Sequence, residues 1–430
     1  MNHAPQLEYE VEIFDKNGKL REHRINSEPI VQDYKILATV TDKDGRVVST
    51  KELPFKSFTS NFVHVINNNF FGVDNATLIK TTAAAVAPTA TCTNMDVMAA
   101  INIDTYGIVI GTNDTTTGSI SGISMTAAAP SDWHLKHLIA DGTSAGEISY
   151  SAMSATPFAF STGQISFSRT FTNATGSAII VKEVGMIGNT NTTDNFLICR
   201  DVRDKDSTTM NITVADTEAL TITYTFSNKS LLQATASTQL RTITDNFLAI
   251  VYDLLTLGGV DVVKTNGLTA NVDFASNPTY QSVLAGSGAE TFGIIIGNDG
   301  YYVNSGDYQV STPHAETTFS YGASTALALE QSQENIMNPR GIAGSSPRNI
   351  TLLKAGVQRD FQNISGGNDD VNEIGLLVQG TGGFSYLIGK IYTHVPYIDV
   401  APLETLRIKI RLSFMIYDLT GPTHISAPEV

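Results

Sequence analysis

Two stretches decide how this chain is read: Arg169-Thr170-Phe171-Thr172-Asn173 and Arg359-Asp360-Phe361-Gln362-Asn363. In each, Arg, Phe and Asn stand two residues apart, the spacing that puts side chains on one face of a β-strand. Each runs through a glycine turn (Gly176, Gly366) into a second matching block, Val181-Lys182-Glu183-Val184-Gly185 and Val371-Asn372-Glu373-Ile374-Gly375. Working outward, further blocks recur in the same order. Thr105-Tyr106-Gly107-Ile108-Val109-Ile110-Gly111 matches Thr291-Phe292-Gly293-Ile294-Ile295-Ile296-Gly297, and Phe196-Leu197-Ile198 matches Tyr386-Leu387-Ile388. Glu218-Ala219-Leu220-Thr221-Ile222 matches Glu404-Thr405-Leu406-Arg407-Ile408. Ahead of them, Lys56 to Ile66 resembles Arg241 to Val251, and Leu78-Ile79-Lys80-Thr81 resembles Val262-Val263-Lys264-Thr265. One such match arises easily by chance; an ordered series at an offset of roughly 185–190 residues points to tandem duplication of one β domain.

The expected fold is therefore mainly β: two tandem β-sandwich, jelly-roll-like domains, each led by a short helix. Phe58, Phe62, Val65 and Ile66, and Ile243, Phe247, Ile250 and Val251, have helical spacing behind Ser, Thr and Asp residues suited to capping. Residues 1–33 form an N-terminal hairpin or arm, 34–228 the first sandwich, 229–416 the second and 417–430 a tail. In the arm, Leu7 to Phe14 alternates apolar with mostly acidic residues before an Asp15-Lys16-Asn17-Gly18 turn, and Tyr34 to Val40 repeats the pattern before Asp42-Lys43-Asp44-Gly45. These turns lack the ligand spacing of a calcium loop. Tyr34–Val40 is read as the counterpart of the strand near Leu220, with Leu406–Phe414 as the terminal equivalent. That last strand alternates strictly, with one apolar face and one cationic or polar face that is solvated or partnered. Ser119–Gly163 and Tyr301–Ser346 do not align and are read as divergent loops.

Composition narrows the function. The 430 residues include 16% charged and 42% apolar residues. Mean hydropathy is −0.01, net charge −15 and the isoelectric point about 4.9. A chain this acidic, with no Lys/Arg run, is not expected to bind nucleic acid. The apolar stretch from Phe247 to Val263 is broken by Asp253, Gly258, Gly259 and Asp261, so no membrane span is expected. No leader peptide is read at the N-terminus. Cys92 and Cys199 are read as free thiols of a chain made in a reducing compartment.

No residue set forms a catalytic, cofactor or metal constellation. His134 and His137 share a spacing that can hold a metal but lack further ligands nearby. Asp201, Asp204 and Asp206 read as a solvated acidic loop. Gly107 and Gly111, like Gly293 and Gly297, frame buried strands rather than a nucleotide loop. Tyr301, Tyr302 and Tyr308 offer a stacking or packing surface. Glu183 and Glu373 are the best-placed acids, with Arg169 and Arg359 recurring alongside. A structural role is the reading taken, with acceptance from a neighbouring loop's backbone N–H groups and an Arg–Glu pair in each repeat.

The run Ile165-Ser166-Phe167-Ser168-Arg169-Thr170-Phe171-Thr172-Asn173, then Val181 to Gly185, Leu197-Ile198-Cys199-Arg200-Asp201-Val202 and Leu220 to Phe226, resembles virion structural proteins of tailed bacteriophages. Repeat two departs from that pattern, with Gly389-Lys390-Ile391 where an Arg-Asp-Val block belongs. The resemblance implies a virion component made in the host cytoplasm. It would be non-enzymatic and without cofactor, acting through copies of itself and other virion proteins at the tail, head–tail junction or capsid. Two alternatives stand beside it: a surface adhesin that binds a host receptor or glycan, and a double-jelly-roll-type capsid subunit.

Overall fold

The computed structural model describes residues 6–26, 33–54, 58–71, 78–81, 85–86, 95–112, 135, 137–159, 162–190, 194–201, 210–227, 241–272, 283–298, 307–336, 348–379, 385–393 and 397–416. The described residues are mainly β, with two helices, α1 (Ser60–Phe71) and α2 (Asp245–Thr256). All the strand pairings between named strands are antiparallel.

Two six-stranded sheets dominate and share one strand order. In the first, the hairpin Asp33–Thr41/Val47–Pro54 lies beside Ala219–Ser227, then Gln164–Thr172, then Ser149–Tyr150 and Ser154–Ala159. In the second, the hairpin Gln6–Phe14/Leu20–Asn26 lies beside Thr405–Ile416, then Arg348–Asn363, then Phe319–Tyr321 and Thr325–Ile336. In each half the pairing is nested. Gln164–Thr172 pairs with Ala219–Ser227, Ile179–Val181 with Ile212–Val214, and Glu183–Asn189 with Asn195–Asp201. The second half repeats this with Arg348–Asn363 and Thr405–Ile416, Asp369–Val371 and Ile398–Val400, and Glu373–Gln379 and Ser385–Tyr392.

This order corrects two sequence expectations. The N-terminal hairpin is not a separate arm: Gln6–Phe14 pairs along its whole length with 405–413 and completes the second sheet. The counterpart of Tyr34–Val40 is therefore Leu7–Ile13, whereas Leu220 lies in the strand equivalent to Thr405–Ile416. The physical reason is that the two alternating strands have the same role, covering the outermost long strand of a sheet, and each finds its partner far away in sequence. The tail 417–430 lies outside the described residues.

The helices lock the halves together. The α1 helix packs on Arg348–Asn363 of the second sheet, and α2 packs on Gln164–Thr172 and Ser154–Ala159 of the first. Phe58 and Phe62 stack at 4.4 Å, and both meet Phe414 edge-on at 6.1 and 6.2 Å. Tyr252 of α2 stacks on Phe167 at 5.9 Å, and Phe70 meets Phe247 at 5.6 Å where the helices touch. The helix C-termini accept from the opposite half: Val97 N–H donates to Leu255 O (2.9 Å) and Val283 N–H to Phe70 O (3.0 Å). Every residue of α2 from Asp245 to Leu255 is buried, as expected for a helix enclosed on all sides. Its N-cap Thr244 makes no side-chain cap, because its hydroxyl donates to Leu387 O at 2.5 Å and ties the helix to the sheet instead. Thr59 makes the same tie to Leu197 O before α1.

The Asp15 and Asp42 turns are ordinary Asx-type turns. Each carboxylate accepts two backbone N–H groups, and Gly18 and Gly45 take φ of 77° and 79°.

The interlocked pairing makes a prediction. A chain beginning at residue 33 leaves Leu406, Ile408, Ile410 and Leu412 without the Leu7, Val11 and Ile13 row that covers them. It should be expressed insoluble or melt far below the full chain. Neither 33–228 nor 229–416 alone should unfold cooperatively in a denaturant titration.

Candidate functional site

The repeated arginine, asparagine and glutamate of the strand blocks (Arg169 and Arg359, Asn173 and Asn363, Glu183 and Glu373) are buried. Arg169, Phe171 and Asn173 alternate with Thr170 and Thr172 along one strand, so all three point inward; Arg359, Phe361 and Asn363 do the same. Arg169 is 1% exposed and Arg359 0%. Neither pairs with the repeated glutamate, which corrects the expected Arg–Glu pair. Arg169 instead donates to five backbone carbonyls: Nε to Ser151 (2.8 Å), Nη1 to Tyr106 (3.1 Å) and Ile108 (3.0 Å), and Nη2 to Ala100 (3.1 Å) and Ile103 (2.5 Å). Arg359 does likewise with Gly322 (2.8 Å), Phe292 (3.2 Å), Ile294 (3.0 Å), Gly286 (3.2 Å) and Ala289 (2.6 Å). All five N–H groups of the guanidinium are satisfied. Burial lowers each arginine to about 10, so both stay charged at neutral pH.

Each guanidinium lies over a tyrosine ring, Tyr150 at 4.7 Å and Tyr321 at 4.9 Å. Each ring meets the motif phenylalanine edge-on, Phe171 at 4.8 Å and Phe361 at 5.1 Å. Their hydroxyls donate to Ile139 O (2.7 Å) and His314 O (2.5 Å). These tyrosines fall inside the two segments read as divergent loops. A single tyrosine in a run of small residues gives no alignable signal. Asn173 and Asn363 each donate to two carbonyls across the glycine turn and accept from Thr175 or Ser365. Gly107 and Gly293 have φ of 83° and 85°, and an added Cβ would lie within 3 Å of the Ala99 and Ala285 methyls, so both positions exclude a side chain.

Glu183 and Glu373, both 0% exposed, have partners one strand away. Glu183 accepts from Arg200 Nε (2.8 Å) and Nη2 (2.5 Å), and from His137 N–H (2.9 Å). Glu373 is paired with Lys390, and accepts from Ser311 N–H (2.8 Å) and Oγ (3.3 Å). Acceptance from a neighbouring loop's N–H group is thus seen in both halves. Gly185 sits opposite Arg200 and Gly375 opposite Lys390, so Lys390 occupies the position of the arginine. Burial raises the Glu373 carboxyl above the usual range, with Lys390 opposing the rise.

The cationic face of Thr405–Ile416 is partnered by the acidic hairpin. Lys409 Nζ reaches Glu10 (3.0 Å) and Glu12 (3.2 Å), Arg411 reaches Glu10 (3.2 Å), and Arg407 reaches Asp360 (2.8 Å). Lys354 reaches Glu8 at 2.8 Å. Glu10, Glu12 and His23 are close enough to share a metal, but the Lys409 ammonium already bridges the two carboxylates.

The other sequence candidates do not assemble. His134, Asp204, Asp206, Cys92, Tyr301 and Tyr302 lie outside the described residues. Asp201 is buried, not a solvated acid; Cys199 is a buried free thiol whose burial raises its pKa; Tyr308 lies 36% exposed beside Gly267. An apolar space between α2 and the first sheet, bounded by Tyr34, Phe58, Phe62, Phe226, Phe247 and Leu248, has a volume of about 10 Å³. That is no more than a water occupies, and its lining holds none in place. No protein-family model, curated protein or solved structure matches the chain.

Two predictions follow from these buried groups. Arg169→Lys leaves three donors for five carbonyls and should cost about 3–5 kcal/mol in chemical denaturation. Arg359→Lys should cost a similar amount. His64 of α1 is held neutral by burial, its pKa lowered to about 4, and its Nδ1 has no hydrogen-bond partner. A base depressed in the folded state gives stability that is complete above its unfolded pKa, roughly 6.5, and is lost as pH falls toward 4. The full loss is roughly 3 kcal/mol. Denaturation midpoints from pH 7.5 to 5 should fall in the native chain and fall less in His64→Gln.

Proposed function

We propose that this chain is a non-enzymatic structural component of a tailed-phage virion, acting by self-assembly and by docking on other virion proteins. The observation that carries this reading is the use made of the repeated polar residues. Arg169, Arg359, Asn173 and Asn363 are turned onto backbone carbonyls inside the body, and Glu183 and Glu373 are closed by a cation and a loop N–H. These are devices for holding loops rigid, and a rigid body with interlocked halves suits a load-bearing part. We further read the halves as tandem copies of one jelly-roll-like domain. The shared strand order, the nested pairing and the matching arginine contacts support that reading.

The nested pairing also favours a second reading, a double-jelly-roll-type capsid subunit. Peptide mass spectrometry of purified particles tests the first reading: the chain should be present in fixed stoichiometry to the major structural proteins. Its absence from particles, with abundance in the lysate, rejects it. Immunogold labelling then separates tail from capsid faces.

A further inference from the structure

Lys390 is 5% exposed and Glu373 fully buried, on adjacent strands. The lysine Nζ touches Glu373 Oε1 and lies 3.3 Å from Asp307 Oδ2. The segment carrying Asp307 is laid down firmly at this point. Ser311 N–H donates to Glu373 Oε2, and Val310 packs so closely over Gly375 that an added Cβ there would lie 2.5 Å from Val310 Cγ2. Gly375 is also the residue directly across from Lys390, so no side chain separates the amine from the loop. A primary amine, a partly exposed carboxyl group and a second, fully buried carboxyl therefore meet in one place. The first half lacks the amine: Arg200 stands at the equivalent position against Glu183.

We propose that Lys390 and Asp307 condense into an intramolecular amide, with Glu373 carrying the protons. The Lys390 ammonium gives one proton to the Glu373 carboxylate, which frees the nitrogen lone pair. The nitrogen attacks Asp307 Cγ, forming the C–N bond and a tetrahedral carbon. A second proton leaves the nitrogen, and Glu373 passes protons to the departing oxygen. The C–O bond breaks and water leaves. One ammonium and one carboxylate become one amide and one water, and Glu373 ends ionised as it began. Neither oxidant nor metal enters the balance.

Three physical factors favour the step. The groups are held in contact, which replaces a bimolecular encounter by a unimolecular one. Condensation removes the charge of an almost fully buried lysine together with that of its partly buried partner. The buried Glu373 carboxyl, raised by desolvation, is suited to holding a proton between transfers. The product would tie residues 307–311 covalently to the strand Ser385–Tyr392, in the second half alone.

The experiment is an intact mass of the purified full chain, denatured and reduced, followed by tryptic mapping. The expected mass lies one water, about 18 Da, below that of the sequence. A branched peptide should join the Asp307 and Lys390 segments, with no cleavage after Lys390. Lys390→Arg, which copies the arrangement that folds in the first half, should restore the sequence mass and abolish the branched peptide with unchanged circular dichroism. Glu373→Gln should do the same. A native chain that keeps the full sequence mass after prolonged incubation at 37 °C, or a water loss that maps elsewhere, overturns the proposal. Linkage that persists in Glu373→Gln overturns the role given to Glu373. None of these readouts depends on whether the chain is found in a particle.

Discussion

A guanidinium with five carbonyls around it is the contact on which each half depends. Loop backbone inside a protein needs partners for its C=O groups, and an unmet carbonyl there costs about as much as a lost hydrogen bond. In both halves the segment before a buried edge strand, Gly107–Gly111 or Gly293–Gly297, folds back without regular pairing and brings three carbonyls to one place. One arginine collects these three, a fourth from the edge strand itself (Ile108 or Ile294) and a fifth just past the short strand beside it (Ser151 or Gly322). Planar geometry and five fixed donors make arginine suited to this, and lysine has neither. The tyrosine over each guanidinium completes the enclosure and returns its own hydroxyl to a loop carbonyl. An irregular loop is thereby made as well satisfied as a strand.

The second constraint is connectivity. The chain lays down both hairpins first, then a helix that packs on the far sheet, then the remainder of the first half. The second helix then packs back on the first sheet. Aromatic rings from both helices and both sheets share one buried cluster. With this arrangement the cores of the two halves are continuous, despite their matching plan. The contacts are mostly distant in sequence, and a topology of that kind folds slowly.

Much of this plan was legible in the sequence. The arginine, phenylalanine and asparagine at two-residue spacing announced an inward face, and the recurrence of Glu183 as Glu373 located a second buried polar position. The partners were not legible, because backbone carbonyls have no sequence identity. Thus Arg169 invited pairing with Glu183, although its acceptors are Tyr106, Ile108, Ala100, Ile103 and Ser151. Lys390 looked like a departure from the Arg200 pattern, and only the register opposite Gly375 shows that it takes the arginine's place beside the glutamate. The hairpin's partner did leave a signal. Glu8, Glu10 and Glu12 alternate in step with Arg407, Lys409 and Arg411, and matching the two periods would have placed the hairpin on the last strand.

Those charges answer a problem that the repeated plan creates. Two hairpins of the same kind stand side by side at the start of the chain, and two similar strands await them, 219–227 and 405–416. Loop closure discriminates poorly, since doubling a loop costs only about 0.6 kcal/mol. Apolar faces discriminate poorly as well, because both strands present alternating buried residues. The outward faces differ sharply. Thr221, Thr223 and Thr225 on one strand offer hydroxyls, and Arg407, Lys409 and Arg411 on the other offer cations. Placed on the threonine row, Glu8, Glu10 and Glu12 would stand beside one another without the lysine and arginines of the last strand, leaving only His23 of their own hairpin beside Glu10. Placed on the cationic row, Lys35 of the other hairpin would face like charge. Each wrong pairing carries unpaired or repelling charge across a sheet, which is how partners of equal shape are told apart. The ion ladder on one sheet and the hydroxyl face on the other thus differ where the shared strand order leaves the choice open.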